Sequence, residues 1–323
     1  MSPTNVLIMI HGIIPSSEPL DHAAEYNNFF QSLVALEPQL SGLFAGPPIT
    51  VEWGHELPNS NNLEDHRRLT RAQNFINEKT KYSSLQRDNH PNNSVINDRG
   101  NLVNRGLRLA IAGLRENLFI TGMGDVIFYA SADGEKAIRR EVYNTILDKL
   151  QAYENDIDVR LHLVGHSLGV TLCHDFLYGL FASRHQSGFL REHQGSPDAE
   201  AKYELWHEKA TNGELTLGSM TSTASQIAIL AMRKQGMVDM LASHDKLKAS
   251  DIGITGANPV KWQLFYDIDD VLAYGTRGLY DNPDAIREIQ VDNNDNILTV
   301  HTSYWKNPVV IQETAQLLLE NSR

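Results

Sequence analysis

Cysteine is almost absent from this sequence, since Cys173 is the only one among 323 residues. A single thiol excludes a disulfide within the chain and a zinc site built from several cysteines. The chain is therefore compatible with a reducing compartment, and we expect a cytoplasmic protein. Cys173 itself falls in a helical pattern, where we expect a small buried residue.

Basic residues are also fewer than acidic ones. Lys and Arg number 28 against 40 Asp and Glu, which gives a formal net charge of −12. A surface with that balance repels the phosphates of nucleic acids and anionic lipid headgroups. We therefore expect no nucleic-acid partner.

Long apolar runs are missing as well. The longest stretches, such as residues 176–182, fall far short of the roughly 20 residues that a membrane-spanning helix needs. An apolar strand at residues 6–10 begins so early that no room is left for a secretory signal. We expect neither a membrane anchor nor a cleaved leader, while delivery by a secretion machine that needs no such signal stays open.

The chain does contain enough apolar material for a large core, with 41% hydrophobic and 21% charged residues. At about 150 residues per domain the length would allow two domains, but one α/β domain with insertions accounts for it too. We interpret residues 1–323 as a single domain with insertions at about 54–124 and about 184–213. These polar, irregular stretches would form a cap or lid over a site, or solvated surface decoration.

Short aliphatic and β-branched runs alternate with amphipathic helical patterns along the chain. The predicted strands are residues 6–10, 49–53, 125–129, 159–164, 214–217, 260–266, 287–291 and 297–300. The predicted helices are residues 21–36, 136–153, 168–183, 223–241 and 308–320. This alternation predicts an α/β fold with a mostly parallel central sheet and helices on both faces. Residues 6–10 and 161–164 are almost continuously apolar, as in strands buried on both faces.

The strongest motif is Gly165-His166-Ser167-Leu168-Gly169, which links a buried strand pattern to a helical one. This is the G-x-S-x-G arrangement of a nucleophile elbow. The turn is so tight that side chains two positions before and after the serine would clash, which makes glycine suitable there. Ser167 would then be held in a strained backbone conformation at the carboxyl edge of the sheet.

A serine hydroxyl is a weak nucleophile unless a histidine removes its proton and a carboxylate orients that histidine. Both partners are expected downstream, at the ends of later strands. With its elbow at Ser167, the chain resembles the α/β-hydrolase fold serine hydrolases, the lipase and esterase superfamily, over most of its length except the two insertions. The resemblance implies that the acid and then the histidine follow the serine in chain order.

The catalytic acid is expected after the predicted strand at residues 260–266. In this family the acid commonly precedes a short apolar step, which favours Asp270 before Val271 and Leu272. Asp267 and Asp269 are the alternatives, and for either of them capping of the local turn is the other expected role.

The resemblance implies that His301 is the catalytic base, because it follows the last predicted strand and precedes the final helix. Many hydrolases of this superfamily carry a similar histidine followed by an aromatic pair. Here the pair is Tyr304 and Trp305, which we expect to be packing residues.

An oxyanion hole needs two backbone N–H groups aimed at the developing negative charge. Leu168, directly after the nucleophile, would supply one. His11-Gly12 after the first buried strand resembles the His-Gly element of lipases and esterases, which implies that the N–H of Ile13 is the second donor, with Gly12 as the alternative. We expect His11 and His166 to hold neighbouring loops.

These assignments predict a carboxylic ester hydrolase that works through an acyl-enzyme, with Ser167, His301 and Asp270 as the triad. The substrate would be a small-molecule or lipid ester, and no metal or organic cofactor is implied. Thioesterases and acyltransferases use the same triad, and a binding protein that keeps the hydrolase fold without turnover is the alternative from another class. The sequence does not indicate an oligomeric state.

Overall fold

The computed structural model describes residues 2–12, 22–53, 132–183, 196–230, 235–243, 245–256, 258–293 and 300–323. The strands of this part are β1 (Thr4–Ile10), β2 (Ile49–Val51), β3 (Val159–His166), β4 (Leu215–Thr223), β5 (Trp262–Tyr266) and β6 (Ile286–Gln290). The α-helices are α1 (His22–Leu36), α2 (Ala132–Leu150), α3 (Leu168–Phe181), α4 (Pro197–Asn212), α5 (Ile227–Leu230), α6 (Gln235–Ala242) and α7 (Pro308–Asn321). Of the helices in these ranges, none is both long enough and apolar enough to cross a membrane.

The six strands form one sheet in the order β2-β1-β3-β4-β5-β6, and every neighbouring pair is parallel. This confirms the predicted α/β fold with a parallel sheet. The two strands predicted to be buried on both faces, β1 and β3, are neighbours inside the sheet, and all residues from 5 to 10 of β1 are buried. Because parallel strands cannot be joined by tight turns, helices supply the crossovers.

Helices cover both faces of the sheet because successive side chains of a strand point to opposite faces. Val6, Ile8 and Ile10 of β1 belong to an apolar cluster completed by buried side chains of α2, α3 and α4. Leu7 and Met9 belong to a second cluster, completed by α1 and α7. Cys173 is buried in the first cluster, as the sequence predicts.

Two predicted boundaries are wrong at strand β4. The strand was predicted to end at residue 217, and a helix was predicted to begin at residue 223. The strand continues to Thr223, and nearly all of it is buried. Its second half is rich in small polar residues, a composition that does not predict a buried strand. The two serines find partners within the sheet: the Ser219 hydroxyl lies 2.8 Å from His162 Nδ1, and the Trp262 indole donates to the Ser222 hydroxyl over 2.8 Å. Hydrogen bonding makes burial of these residues possible.

The first predicted insertion and the predicted strand at residues 125–129 lie outside the described residues. Of the second insertion, residues 196–213 are described, and most of them form α4. Ser196 caps its start by accepting from the Ala199 N–H, and Gly213 ends it in a left-handed conformation with φ 78°. Trp206 of α4 is fully buried in the cluster shared with α3. This part of the stretch is therefore a core helix that leads into β4, and not surface decoration.

Candidate active site

Ser167 occupies the turn between β3 and α3. Its backbone lies in the left-handed region, with φ 53° and ψ −123°, where residues other than glycine are strained. A Cβ on Gly165 would lie 2.9 Å from the Cα of Val170, and one on Gly169 would lie 2.3 Å from the carbonyl oxygen of Ile10. Side chains at these two positions would collide with backbone, which is the reason that the motif predicts glycine there.

The structure brings Ser167, His301 and Asp270 into one chain of hydrogen bonds. The Ser167 hydroxyl oxygen is 2.9 Å from His301 Nε2. His301 Nδ1 is 3.0 and 2.9 Å from the two oxygens of Asp270. Because Nδ1–H donates to the carboxylate, Nε2 carries the free lone pair and accepts the serine hydroxyl. This is the arrangement in which a histidine can remove the serine proton.

Asp270 is buried, and its carboxylate is fully engaged. Besides His301, the N–H of Leu272 donates to Oδ1 over 3.0 Å and the hydroxyl of Tyr304 donates to Oδ2 over 2.9 Å. Burial raises the pKa of Asp270, but the hydrogen bond and charge of His301, together with the Leu272 and Tyr304 hydrogen bonds, bring it below the usual 3.8. The ionised carboxylate thus stabilises the fold above its unfolded-state pKa, and that contribution is lost as the pH falls through the lower folded value.

The two alternative acids have other contacts. Asp267 is buried and caps its own loop, accepting from the N–H of Asp269 over 3.0 Å and from that of Asn293 over 2.7 Å. The side chain of Asp269 is exposed. Of the three carboxylates, the one hydrogen-bonded to His301 is that of Asp270.

His301 lies in a short 3₁₀ helix, Val300–Thr302, and not at the end of a strand. Residue 300, the last of the predicted strand at 297–300, belongs to that helix, and residues 297–299 lie outside the described part. Among the described strands, the one that precedes His301 is β6, the last in the sheet order. Ser167 follows β3, which is three strand positions away, or about 14 Å. A long connection is therefore needed to carry the imidazole from β6 back to the serine.

Tyr304 does more than pack. Its hydroxyl donates to Asp270 and accepts the backbone N–H of Asp267 over 2.8 Å, so it ties the acid to the start of its loop. Burial and the nearby Asp270 charge raise the pKa of Tyr304, which keeps the phenol a neutral donor. Sequence reasoning missed this role because no local motif marks a contact across 34 positions. Trp305 does pack, edge to face with Tyr26 and Phe29, as predicted.

Replacing Tyr304 with phenylalanine keeps the ring and removes both hydrogen bonds. Because a hydrogen bond to a charged group contributes about 1.5–3 kcal/mol, we expect kcat for the ester hydrolysis that the sequence predicts to fall at least tenfold and the free energy of unfolding to decrease. Steady-state rates and urea unfolding measure the two effects. Tyr280→Phe is the matched control, since it removes a buried tyrosine hydroxyl that pairs with His174. Equal kcat values in the two variants would contradict a role for Tyr304 in holding Asp270.

The loop after β1 passes directly against Ser167. A Cβ on Gly12 would lie 2.7 Å from the Cβ and 3.3 Å from the hydroxyl oxygen of Ser167, so only glycine allows this approach. Leu168 is the first residue of α3, where backbone N–H groups have no partner within the helix. Ile13, the predicted second oxyanion donor, lies outside the described residues. Leu168 and the alternative Gly12 thus flank the serine.

His11 and His166 both hold neighbouring elements, as predicted. His11 stacks on Trp53 with the ring planes 3° apart, and its Nε2 accepts the Trp53 backbone N–H over 3.2 Å. Nδ1 of the same ring then donates to the carbonyl oxygen of Gly12. His166 Nδ1 lies 2.9 Å from the Thr223 hydroxyl and joins the ends of β3 and β4. The loops on either side of Ser167 are thereby fixed.

Gln226 is a further residue that sequence reasoning missed. It lies in the loop after β4, is 3% exposed, and donates from Nε2 to the Ser167 hydroxyl oxygen over 3.3 Å. No signal in the sequence distinguishes it from other glutamines. Within the described ranges, no three His, Cys, Asp or Glu side chains are grouped so that they could hold a metal ion.

Comparisons with models of known protein families, with curated proteins and with solved structures found no match. The geometry of the site is therefore the basis on which a function can be inferred for this chain. Its central feature is a strained, buried serine whose hydroxyl is hydrogen-bonded to a histidine and, through it, to an ionised aspartate.

Proposed function

We propose that this protein is a serine hydrolase of the α/β-hydrolase fold that cleaves carboxylic esters. The observation that carries the proposal is the hydrogen-bonded chain from Ser167 through His301 to Asp270. Two further features support it: the serine lies in a strained strand-to-helix turn, and the three residues follow one another in the order Ser, Asp, His. Together they favour acyl transfer through a covalent intermediate.

In the acylation step, the Ser167 oxygen attacks the ester carbonyl carbon while His301 Nε2 takes the hydroxyl proton. The imidazolium so formed is stabilised by Asp270, which stays ionised. The carbonyl oxygen becomes an oxyanion beside the N–H of Leu168 and the Gly12 loop. When the tetrahedral intermediate collapses, the bond to the alkoxy oxygen breaks, and that oxygen takes the proton from His301 and leaves as the alcohol.

In the deacylation step, a water molecule attacks the acyl carbon and His301 Nε2 takes one of its protons. The bond between the acyl carbon and the Ser167 oxygen then breaks. The serine oxygen recovers the proton from His301, and the carboxylic acid is released. The enzyme returns to its starting state with one ester and one water consumed.

Exposed apolar side chains follow the carboxyl ends of β4 and β5, as the triad residues Asp270 and Ser167 follow β5 and β3. They support a substrate with an apolar acyl chain, such as a lipid ester. Ile268 and Val271, which are 77% and 45% exposed, lie on either side of Asp270 in the loop after β5. Ile229 of α5 and Tyr274 are exposed too, and the Tyr274 N–H bonds to the loop that carries Gln226. Exposed apolar groups that lie together commonly mark ligand-binding or interaction surfaces, and these four follow the neighbouring strands β4 and β5.

The proposal is tested by initial hydrolysis rates on p-nitrophenyl esters from acetate to palmitate, with Ser167→Ala as the control protein. We expect serine-dependent turnover that is faster on longer acyl chains than on acetate. A maximum at acetate or butyrate would contradict the apolar acyl chain and leave a small-ester esterase. If no ester is cleaved while circular dichroism shows the protein folded, the ester hydrolase proposal is wrong.

A further inference from the structure

Gln226 presents an unused hydrogen-bond acceptor next to the nucleophile. Its Nε2 donates to the Ser167 oxygen, whereas its Oε1 is buried and has no hydrogen-bond partner among the residues that the structure describes. The two atoms share one carbon, so Oε1 lies in the immediate surroundings of the serine. Leaving a buried acceptor unpaired is unfavourable, and each such group in a folded protein calls for an explanation. A ligand that donates a hydrogen bond at this position would supply one.

The loop that carries Gln226 is strained and tied down. Ala224, two positions earlier, has φ 54°, a conformation that residues other than glycine rarely adopt. Its N–H donates to the carbonyl oxygen of Phe265 over 3.2 Å, and the carbonyl oxygen of Ser225 accepts the Tyr274 N–H over 2.9 Å. Strain that the surroundings maintain is concentrated at functional sites. The backbone beside Gln226 is therefore fixed, and the hydrogen bond to Ser167 places the amide.

The chemistry of the triad determines which way the amide faces. The Ser167 hydrogen points to His301 Nε2, so the serine oxygen can only accept from Gln226, and Nε2 must face it. Gln226 follows β4, whereas the Gly12 loop follows β1, and these strands flank β3 on opposite sides. The amide thus lies across the serine from the loop beside which the oxyanion forms. Its oxygen is an acceptor that the hydrogen bonds within the triad do not use.

We propose that Gln226 is a further catalytic residue and that its Oε1 binds the water of the deacylation step; this inference rests on the proposed ester hydrolysis. In the acyl-enzyme, the water donates one hydrogen bond to Oε1 and the other to His301 Nε2. Its oxygen forms the bond to the acyl carbon, and the proton on the second hydrogen bond passes to His301. The bond to Ser167 then breaks, and the serine oxygen receives that proton. The hydrogen bonded to Gln226 stays on the water oxygen, which becomes the hydroxyl of the carboxylic acid.

The test compares Gln226→Met with Gln263→Met in stopped-flow hydrolysis of p-nitrophenyl butyrate. Methionine has a similar length but lacks the amide. Gln263 is a matched control because it is equally buried, at 3% exposure, and its Oε1 also has no partner in the described part of the chain, but it lies within β5. For Gln226→Met we expect a burst of about one nitrophenolate per enzyme, followed by a steady-state kcat about 100-fold below wild type. Gln263→Met should keep the wild-type burst and kcat, even where it lowers stability.

A loss of positioned water slows deacylation more than acylation, whereas general disruption of the site slows both alike. Equal decreases of the burst rate and kcat, or wild-type kinetics, in Gln226→Met would overturn the inference. If that variant does not fold, Gln226→Asn withdraws the same amide by one methylene, and the same two comparisons decide. A wild-type protein that releases no serine-dependent nitrophenolate would refute the proposed hydrolysis itself, a result that depends on no Gln226 variant.

Discussion

Ser167→Ala is expected to lower kcat for p-nitrophenyl butyrate by on the order of 10⁵- to 10⁶-fold. The variant has no nucleophile, so an acyl-enzyme cannot form, and any residual rate would come from binding and from the oxyanion donors. The same loss is expected for His301→Ala, because a serine that cannot give up its proton does not attack. In the structure the two residues share a single hydrogen bond of 2.9 Å.

The double variant tests whether Ser167 and His301 act as one unit. Residues that act as one unit lose their function together, so Ser167→Ala with His301→Ala should be no slower than either single variant. Ser41→Ala is a matched control, since this exposed serine bonds to the Pro38 carbonyl oxygen in a surface 3₁₀ helix. Losses that add in free energy, or substantial activity in Ser167→Ala, would refute covalent catalysis by this serine.

Asp270→Asn is expected to lower kcat by on the order of 10⁴-fold. The amide is nearly the same shape as the carboxylate, but it cannot stabilise an imidazolium. Its NH₂ group also favours the tautomer in which His301 Nδ1 is the acceptor. The proton then lies on Nε2, where the Ser167 hydroxyl needs a lone pair. Steady-state kinetics on p-nitrophenyl butyrate measure this loss.

The neighbouring aspartates provide matched controls for this change. Asp269→Asn alters an exposed side chain and should leave kcat within about twofold of wild type, as surface changes usually do. Asp267→Asn turns an acceptor of two backbone N–H groups into a partial donor, so it should lower the free energy of unfolding by about 1–3 kcal/mol. The assignment of Asp270 fails if the severe kinetic defect appears in either control.

The parts of the fold that could be predicted are those with a local signal. The unbroken apolar runs of β1 and β3 predicted strands buried on both faces, and the alternation with helices predicted the parallel sheet. Strand β4 was predicted too short, because its second half carries serines and threonines. The two serines form hydrogen bonds to β3 and β5, and such partners are not visible in a local window.

At the site, the sequence alone determined the elbow around Ser167, because the motif joins a strand pattern to a helical one and the clash that requires Gly165 arises within that turn. The clash that requires Gly169 is with the carbonyl oxygen of Ile10 at the end of β1, so it depends on the tertiary structure. The sequence also indicated Asp270 and His301 by their order along the chain. Only the tertiary structure decided which carboxylate meets the imidazole, that His301 lies on a 3₁₀ helix, and that Tyr304 and Gln226 contact the triad. The physical reason is that these hydrogen bonds span 31 to 134 positions and form only when separate loops meet at one sheet edge.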